Sequence, residues 1–96
     1  MYKIIITNDA QRNIDQIVYG LIEYSFSVES GLRLLNDIYA KIELIGAMPE
    51  GIGRLRDDGK RREAFCRGYR IVYRIEHQNV YILAVIHSRM LYPRPS

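Results

Sequence analysis

The sequence predicts an α+β fold in which a helical hairpin packs on one face of an antiparallel sheet, in the order β-α-α-β-β-β. Three observations carry this prediction. The first half holds two runs with apolar residues at four-three spacing, the signature of amphipathic helices. The second half holds three runs rich in β-branched and aromatic residues, separated by short turn signals. A short β-rich run precedes both halves. At 96 residues the chain has room for one domain, residues 1–96, and one core.

Tyr2–Thr7 reads as the first strand, and its apolar run is too short for a signal peptide. Thr7, Asn8 and Asp9 supply helix-capping side chains. Ala10, Ile14, Ile17, Leu21 and Tyr24 then form one helical stripe. Ser25–Ser27 breaks the pattern and caps a second helix, whose stripe is Val28, Leu32, Leu35, Tyr39 and Ile42, running to about Ile45. So short a connection makes the two helices an antiparallel hairpin. Gly46, Pro49, Gly51 and Gly53 end it and open a loop from Met48 to Lys60, with a turn at Asp57-Asp58-Gly59. Strands follow over Arg61–Arg67, Tyr69–Glu76 and Val80–Ser88. Gly68 separates the first two, and His77-Gln78-Asn79 turns between the last two. The tail Met90–Ser96, with Pro93 and Pro95, reads as irregular.

Strand alternation sorts the side chains. Tyr69, Ile71, Tyr73 and Ile75 share one face, and Val80, Ile82, Ala84 and Ile86 continue it toward the helices. The opposite face is expected to gather Arg70, Arg74, Tyr81, His87 and Arg89. Charge divides along the same line. Residues 1–53 carry four basic and seven acidic residues, a net of −3, whereas residues 54–96 carry ten and four, a net of +6. A cationic sheet beside an acidic helical half points to a phosphate-bearing or strongly acidic partner.

Composition excludes several classes. An apolar fraction of 48% rules out a disordered chain. The single cysteine, Cys66, forms no internal bridge and suits a reducing cytoplasm, where it packs as a small hydrophobe. The run Val80–Ile86 is too short to cross a bilayer. One cysteine and two widely spaced histidines give no metal pattern. Gly51-Ile52-Gly53 lacks the lysine and following helix of a phosphate loop, so no cofactor is expected.

The order of elements and four short motifs resemble the RelE/ParE superfamily of toxins from type II toxin–antitoxin systems. The motifs are Thr7-Asn8-Asp9-Ala10 after the first strand, Met48-Pro49-Glu50-Gly51 after the second helix, Gly68-Tyr69-Arg70-Ile71-Val72-Tyr73, and the ending Val85-Ile86-His87-Ser88-Arg89-Met90-Leu91-Tyr92-Pro93. The resemblance implies a growth-inhibiting toxin, of the kind that stabilises plasmids, neutralised by a cognate antitoxin. That antitoxin is expected to be acidic in part, to wrap the helical hairpin and mask the basic face, and to mediate any contact with operator DNA. RelE-like members cut messenger RNA on the ribosome; ParE-like members poison DNA gyrase. The His-Ser-Arg and Tyr-Pro ending resembles the ParE side. Arg61 and Glu63 stand where RelE-like members carry two lysines, so that pair is not reproduced.

Two readings of the site follow. If the chain is a gyrase poison, no residue does bond chemistry, and Arg61, Arg62, Arg74, Tyr81 and Tyr92 are candidate target contacts, with the tail Arg89–Arg94. If it is a metal-independent mRNA endonuclease, His87, Arg70, Arg89 and Glu50 are the catalytic candidates. Such cleavage needs a base for the 2′-hydroxyl, an acid for the leaving oxygen and cations for the phosphorane. His87 has a suitable intrinsic pKa, and Arg70 and Arg89 suit bidentate phosphate contact. The plainer readings are a strand-end histidine in an ordinary hydrogen bond, a solvated arginine face, and a family member whose one role is to bind its antitoxin.

Overall fold

The computed structural model describes residues 2–88. Its elements are β1 (Lys3–Ile6), α1 (Asn8–Ser25), α2 (Val28–Ala47), the single turn α3 (Pro49–Ile52), β2 (Arg54–Leu55), β3 (Arg61–Cys66), β4 (Tyr69–Glu76) and β5 (Asn79–His87). The five strands form one sheet in the order β1-β5-β4-β3-β2. The predicted fold class holds, with two additions: α3 and β2 lie in the segment expected to be loop. Every strand pair is antiparallel except β1 with β5, which is parallel because the whole helical hairpin intervenes between β1 and the meander.

Local chemistry sets the helix ends. The Thr7 hydroxyl accepts from the Ala10 N–H and caps α1, and Ser27 caps α2 by accepting from Ser30 N–H. Between them Phe26 adopts the left-handed conformation, at φ 54°, that lets the chain reverse in one step. The β3–β4 turn places Arg67 and Gly68 both at positive φ, as a two-residue hairpin with right-handed strand twist requires.

The core lies between the hairpin and one sheet face. It comprises Ala10, Ile14 and Val18 of α1, Leu34, Ile38, Ile42 and Ile45 of α2, and Ala64, Ile71, Tyr73, Val80, Ile82 and Val85 of the sheet. The α2 stripe is therefore rotated from the predicted one. Val28 and Leu32 are exposed, and Leu35 and Tyr39 lie on the flank. The helix is apolar over an arc wide enough for two stripes, and Gly31 and Gly46 belong to the buried one. Tyr24 also lies outside the core, 87% exposed at the hairpin tip.

One irregularity reorders the sheet face. Val72 pairs with Ala84, but Tyr73 pairs with Ile82, so β5 carries an extra residue, Leu83, opposite one step of β4. The α1 region holds this bulge. The Thr7 hydroxyl donates to the Ile82 carbonyl at 2.8 Å, and Asn13 Oδ1 accepts from the Val85 N–H at 3.1 Å. Beyond the bulge the alternation of β5 is inverted. Val85, not Ala84, joins the core, and His87 falls opposite Tyr69 on the helix-facing side. Among the described residues, no helix is long and apolar enough to cross a membrane.

Candidate functional site

Directly opposed residues of antiparallel strands share a face, so the register assigns the side of the sheet that points away from the helices. Arg54 lies opposite Glu63, Arg61 opposite Arg74, Phe65 opposite Arg70, and Arg74 opposite Tyr81. Arg70, Arg74 and Tyr81 thus gather on one face, as expected. His87 does not, because the Leu83 bulge turns it to the other side, against the edge of the Tyr69 ring at 5.8 Å and 75°. Arg89 and Tyr92 lie outside the described residues.

Glu63 sits at the centre of this face. Its Oε2 accepts from Arg56 at 2.5 Å and from Arg70 at 3.0 Å. All three side chains are largely buried, with Arg70 at 9% and Glu63 at 13% exposure. Arg70 Nε is the one buried side-chain polar atom among the described residues that lacks a hydrogen-bond partner. A carboxylate shared between two guanidiniums in a poorly solvated place is held by geometry as much as by net attraction. Glu63 thus takes up a guanidinium contact that Arg70 would otherwise offer to another anion.

The remaining arginines are mostly paired as well. Arg74 bonds Glu76 at 3.0 Å and lies 4.7 Å above the Tyr81 ring, so a cation covers one face of this candidate target contact. Arg61 bonds Asp58 at 2.5 Å. The backbone N–H groups of Arg61 and Lys60 also point at Asp58, and these, with the Arg61 guanidinium, hold its carboxyl far below the usual carboxylate range. Arg67 reaches Asp37 of α2 at 3.1 Å. Interleaved acids thus relieve the mutual repulsion of these arginines. Burial, and then the Asp37 charge, push the Cys66 thiol up, away from nucleophile chemistry.

In this basic half, and among the described residues, Arg54, Lys60 and Arg62 have no carboxylate partner. They cluster about the β2–β3 hairpin. Arg62 stands opposite Tyr73 and donates to the backbone carbonyls of Glu50 and Gly53, at 3.3 and 3.2 Å. Beside it opens a cavity of about 440 Å³ whose charged lining is Glu50, Lys60, Arg62, Arg74 and Glu76. The structure thus joins the candidates Glu50, Arg62 and Arg74, keeps Arg70 with Glu63, and sets His87 apart. Sequence reading missed the tie of Arg56 to Glu63. Its one available signal was Glu63 itself, an acid in a strand otherwise framed by arginines.

Comparison with known proteins gives this arrangement a context. No curated protein sequence is a significant match. Among solved structures, a chain of the chromosomal ParDE TA system from P. aeruginosa aligns with a TM-score of 0.81 at 18% identity, covering 91% of this chain and 96% of that one. A chain of the RelBE2 toxin–antitoxin complex from Mycobacterium tuberculosis aligns at 0.55 and 23% identity, covering 90% and 96%. At these identities the likeness establishes the fold. The family is fixed by sequence: the model of the ParE toxin of type II toxin–antitoxin systems matches residues 4–92, from the first strand through the His-Ser-Arg ending, and the chain belongs to that family.

Proposed function

We propose that the chain is a growth-inhibiting toxin that binds DNA gyrase and cuts no RNA, and that a cognate antitoxin neutralises it in the cytoplasm. Family membership supports the toxin reading. The observation that favours binding over cleavage is the arrangement around Arg70. Its guanidinium is buried and held by Glu63, and the side chain of His87, the histidine read as acid or base, lies on the other face of the sheet. A nuclease needs its proton donor and its phosphate-binding cation around one phosphate. The uncompensated cations Arg54, Lys60 and Arg62 instead give an exposed positive rim at the β2–β3 hairpin. An acidic antitoxin segment docks there, and any contact with operator DNA runs through the antitoxin.

His87→Ala is the discriminating variant. Growth arrest on expression without antitoxin is expected to stay within about twofold of the parent, since His87 is exposed and lies on the other face of the sheet from Arg70. Primer extension on cellular mRNA after induction should show no discrete cuts, and purified gyrase should lose supercoiling activity when the chain is added. Translation-dependent cuts that vanish in His87→Ala would reverse the reading.

A further inference from the structure

The α1–α2 turn carries a feature that neither the core nor the basic face explains. Phe26 is 95% exposed, and it is also a non-glycine residue at φ 54°. Left-handed backbone is unfavourable for a bulky side chain, and glycine or asparagine would relieve it. An exposed phenylalanine therefore sits where both solubility and backbone preference argue against it. Its neighbours reinforce the point. Tyr24 is 87% exposed, Val28 62% and Leu32 50%. Tyr24 lies in the last turn of α1, Phe26 at the chain reversal, and Val28 and Leu32 in the first turns of α2, so the four cluster at the same end of the helical hairpin. Two aromatic side chains bring about 150–250 Å² each, which matches the largest apolar patch of an ordinary soluble monomer, a patch that often serves a function.

The rim of this patch has a definite sign. Residues 13–32 contain Asp15, Glu23 and Glu29 and neither lysine nor arginine. The nearest cation, Arg33, is engaged with Glu29 at 3.6 Å. An acidic rim disfavours nucleic acid, and it disfavours a symmetric contact with a second copy, in which Glu23 and Glu29 would face like charges. It equally disfavours an acidic antitoxin segment, for which the β2–β3 hairpin is the complementary surface. We infer that the hairpin tip, built from Tyr24, Phe26, Val28 and Leu32, is the wedge by which the chain docks into an apolar, Lys/Arg-rimmed pocket on its target protein. The strained, exposed Phe26 is the anchor, as buried aromatics are at interface hot spots. The two poles of the molecule then serve two partners. This rests on the proposal that the chain acts by binding a protein target.

The test compares the parent with Phe26→Gly, Phe26→Asn and Glu23→Lys. Each is assayed for growth arrest, inhibition of purified gyrase holoenzyme, antitoxin affinity by calorimetry, and Tm. Phe26→Gly and Phe26→Asn are expected to raise Tm by a few degrees by relieving the turn. They should keep antitoxin affinity within about twofold and weaken gyrase inhibition and growth arrest at least about tenfold. Glu23→Lys should weaken both activities several-fold. A more stable variant with lost activity cannot be explained by misfolding. Undiminished growth arrest in the Phe26 variants would overturn the inference, as would stronger inhibition by Glu23→Lys. Antitoxin affinity falling in step would seat the antitoxin on the tip, and a parental dimer abolished by Phe26→Gly would seat a second copy there; either result overturns it. Growth arrest without gyrase inhibition would fail the gyrase reading alone, leaving growth arrest to decide the tip. A parent without growth arrest would overturn both.

Discussion

Glu63→Ala is expected to lower the free energy of unfolding by about 3–5 kcal/mol, a large share of what a domain of this size possesses. The carboxylate is the hub of a mostly buried triad. Without it, Arg56 and Arg70 are left close together with no negative charge between them. Arg70 is least able to respond, because it is 9% exposed and already carries one unpartnered nitrogen. Glu63→Gln keeps the shape but loses charge assistance, and is expected to cost roughly half as much. Replacing Arg56, Glu63 and Arg70 together by Met, Leu and Met removes every buried charge at once, and is expected to be neutral or mildly stabilising. Urea unfolding checks all three: the midpoint should fall, fall less, and hold, at an unchanged m-value. A loss under about 1 kcal/mol for Glu63→Ala would mean that the triad is solvated. Arg70 would then be open to a phosphate, and the argument against RNA cleavage would lose its main support.

How far the sequence revealed this arrangement can be followed residue by residue. The caps Thr7 and Ser27, the hairpin and the register-bearing run Tyr69–Glu76 are local matters, written in adjacent residues, and the structure has them where the pattern placed them. The misplacement of His87 has a non-local cause. The β5 bulge is stabilised by Thr7 and Asn13, more than seventy residues away in the chain, and nothing in Val80–His87 announces it. A strict period of two then carries every residue past Leu83 to the wrong face. The α2 stripe failed for another reason. A helix apolar over two adjacent arcs has its buried arc chosen by its partners, here α1 and the sheet, so Leu34 and Ile38 go inside while Leu32 stays out. The short β2 was illegible because two residues, Arg54 and Leu55, are too few to show alternation. At the site, the basic residues were counted correctly, but pairing decides which of them a partner meets. The positive rim is at Arg54, Lys60 and Arg62, not along β4.

Tyr73→Ala is expected to cost about 3–5 kcal/mol, since this side chain is fully buried at the centre of the sheet. Tyr73→Phe separates packing from the hydroxyl. The phenol donates to the Pro49 carbonyl at 2.6 Å and ties α3 to β4, and its removal is expected to cost about 1–2 kcal/mol by leaving that carbonyl buried without its partner. Gly53 belongs to the same joint, because a Cβ there would collide with the Tyr73 ring and hydroxyl. Arg62 grips the other side through the Glu50 and Gly53 carbonyls, so the joint also fixes the wall of the cavity beside the positive rim. Alkaline unfolding reads the hydroxyl directly. Burial raises the Tyr73 phenol above its ordinary 10.0, opposed in part by the Gly53 backbone and the Arg62 charge. The folded chain then keeps a proton that the unfolded chain releases. This contribution is fully present below pH 10 and is lost as pH rises through the folded-state value. Other tyrosines and lysines titrate in the same range, so the informative quantity is the difference between parent and Tyr73→Phe. That difference should be constant below about pH 9 and shrink above pH 10, where the parent alone bears the cost of keeping a buried phenol protonated. Hydrogen exchange at Gly51 and Ile52, whose N–H groups both bond the Met48 carbonyl, should quicken in Tyr73→Phe at neutral pH. A variant with parental protection at those amides would show that α3 is held by Arg62 and Pro49 packing alone, and that the hydroxyl contributes nothing to the site.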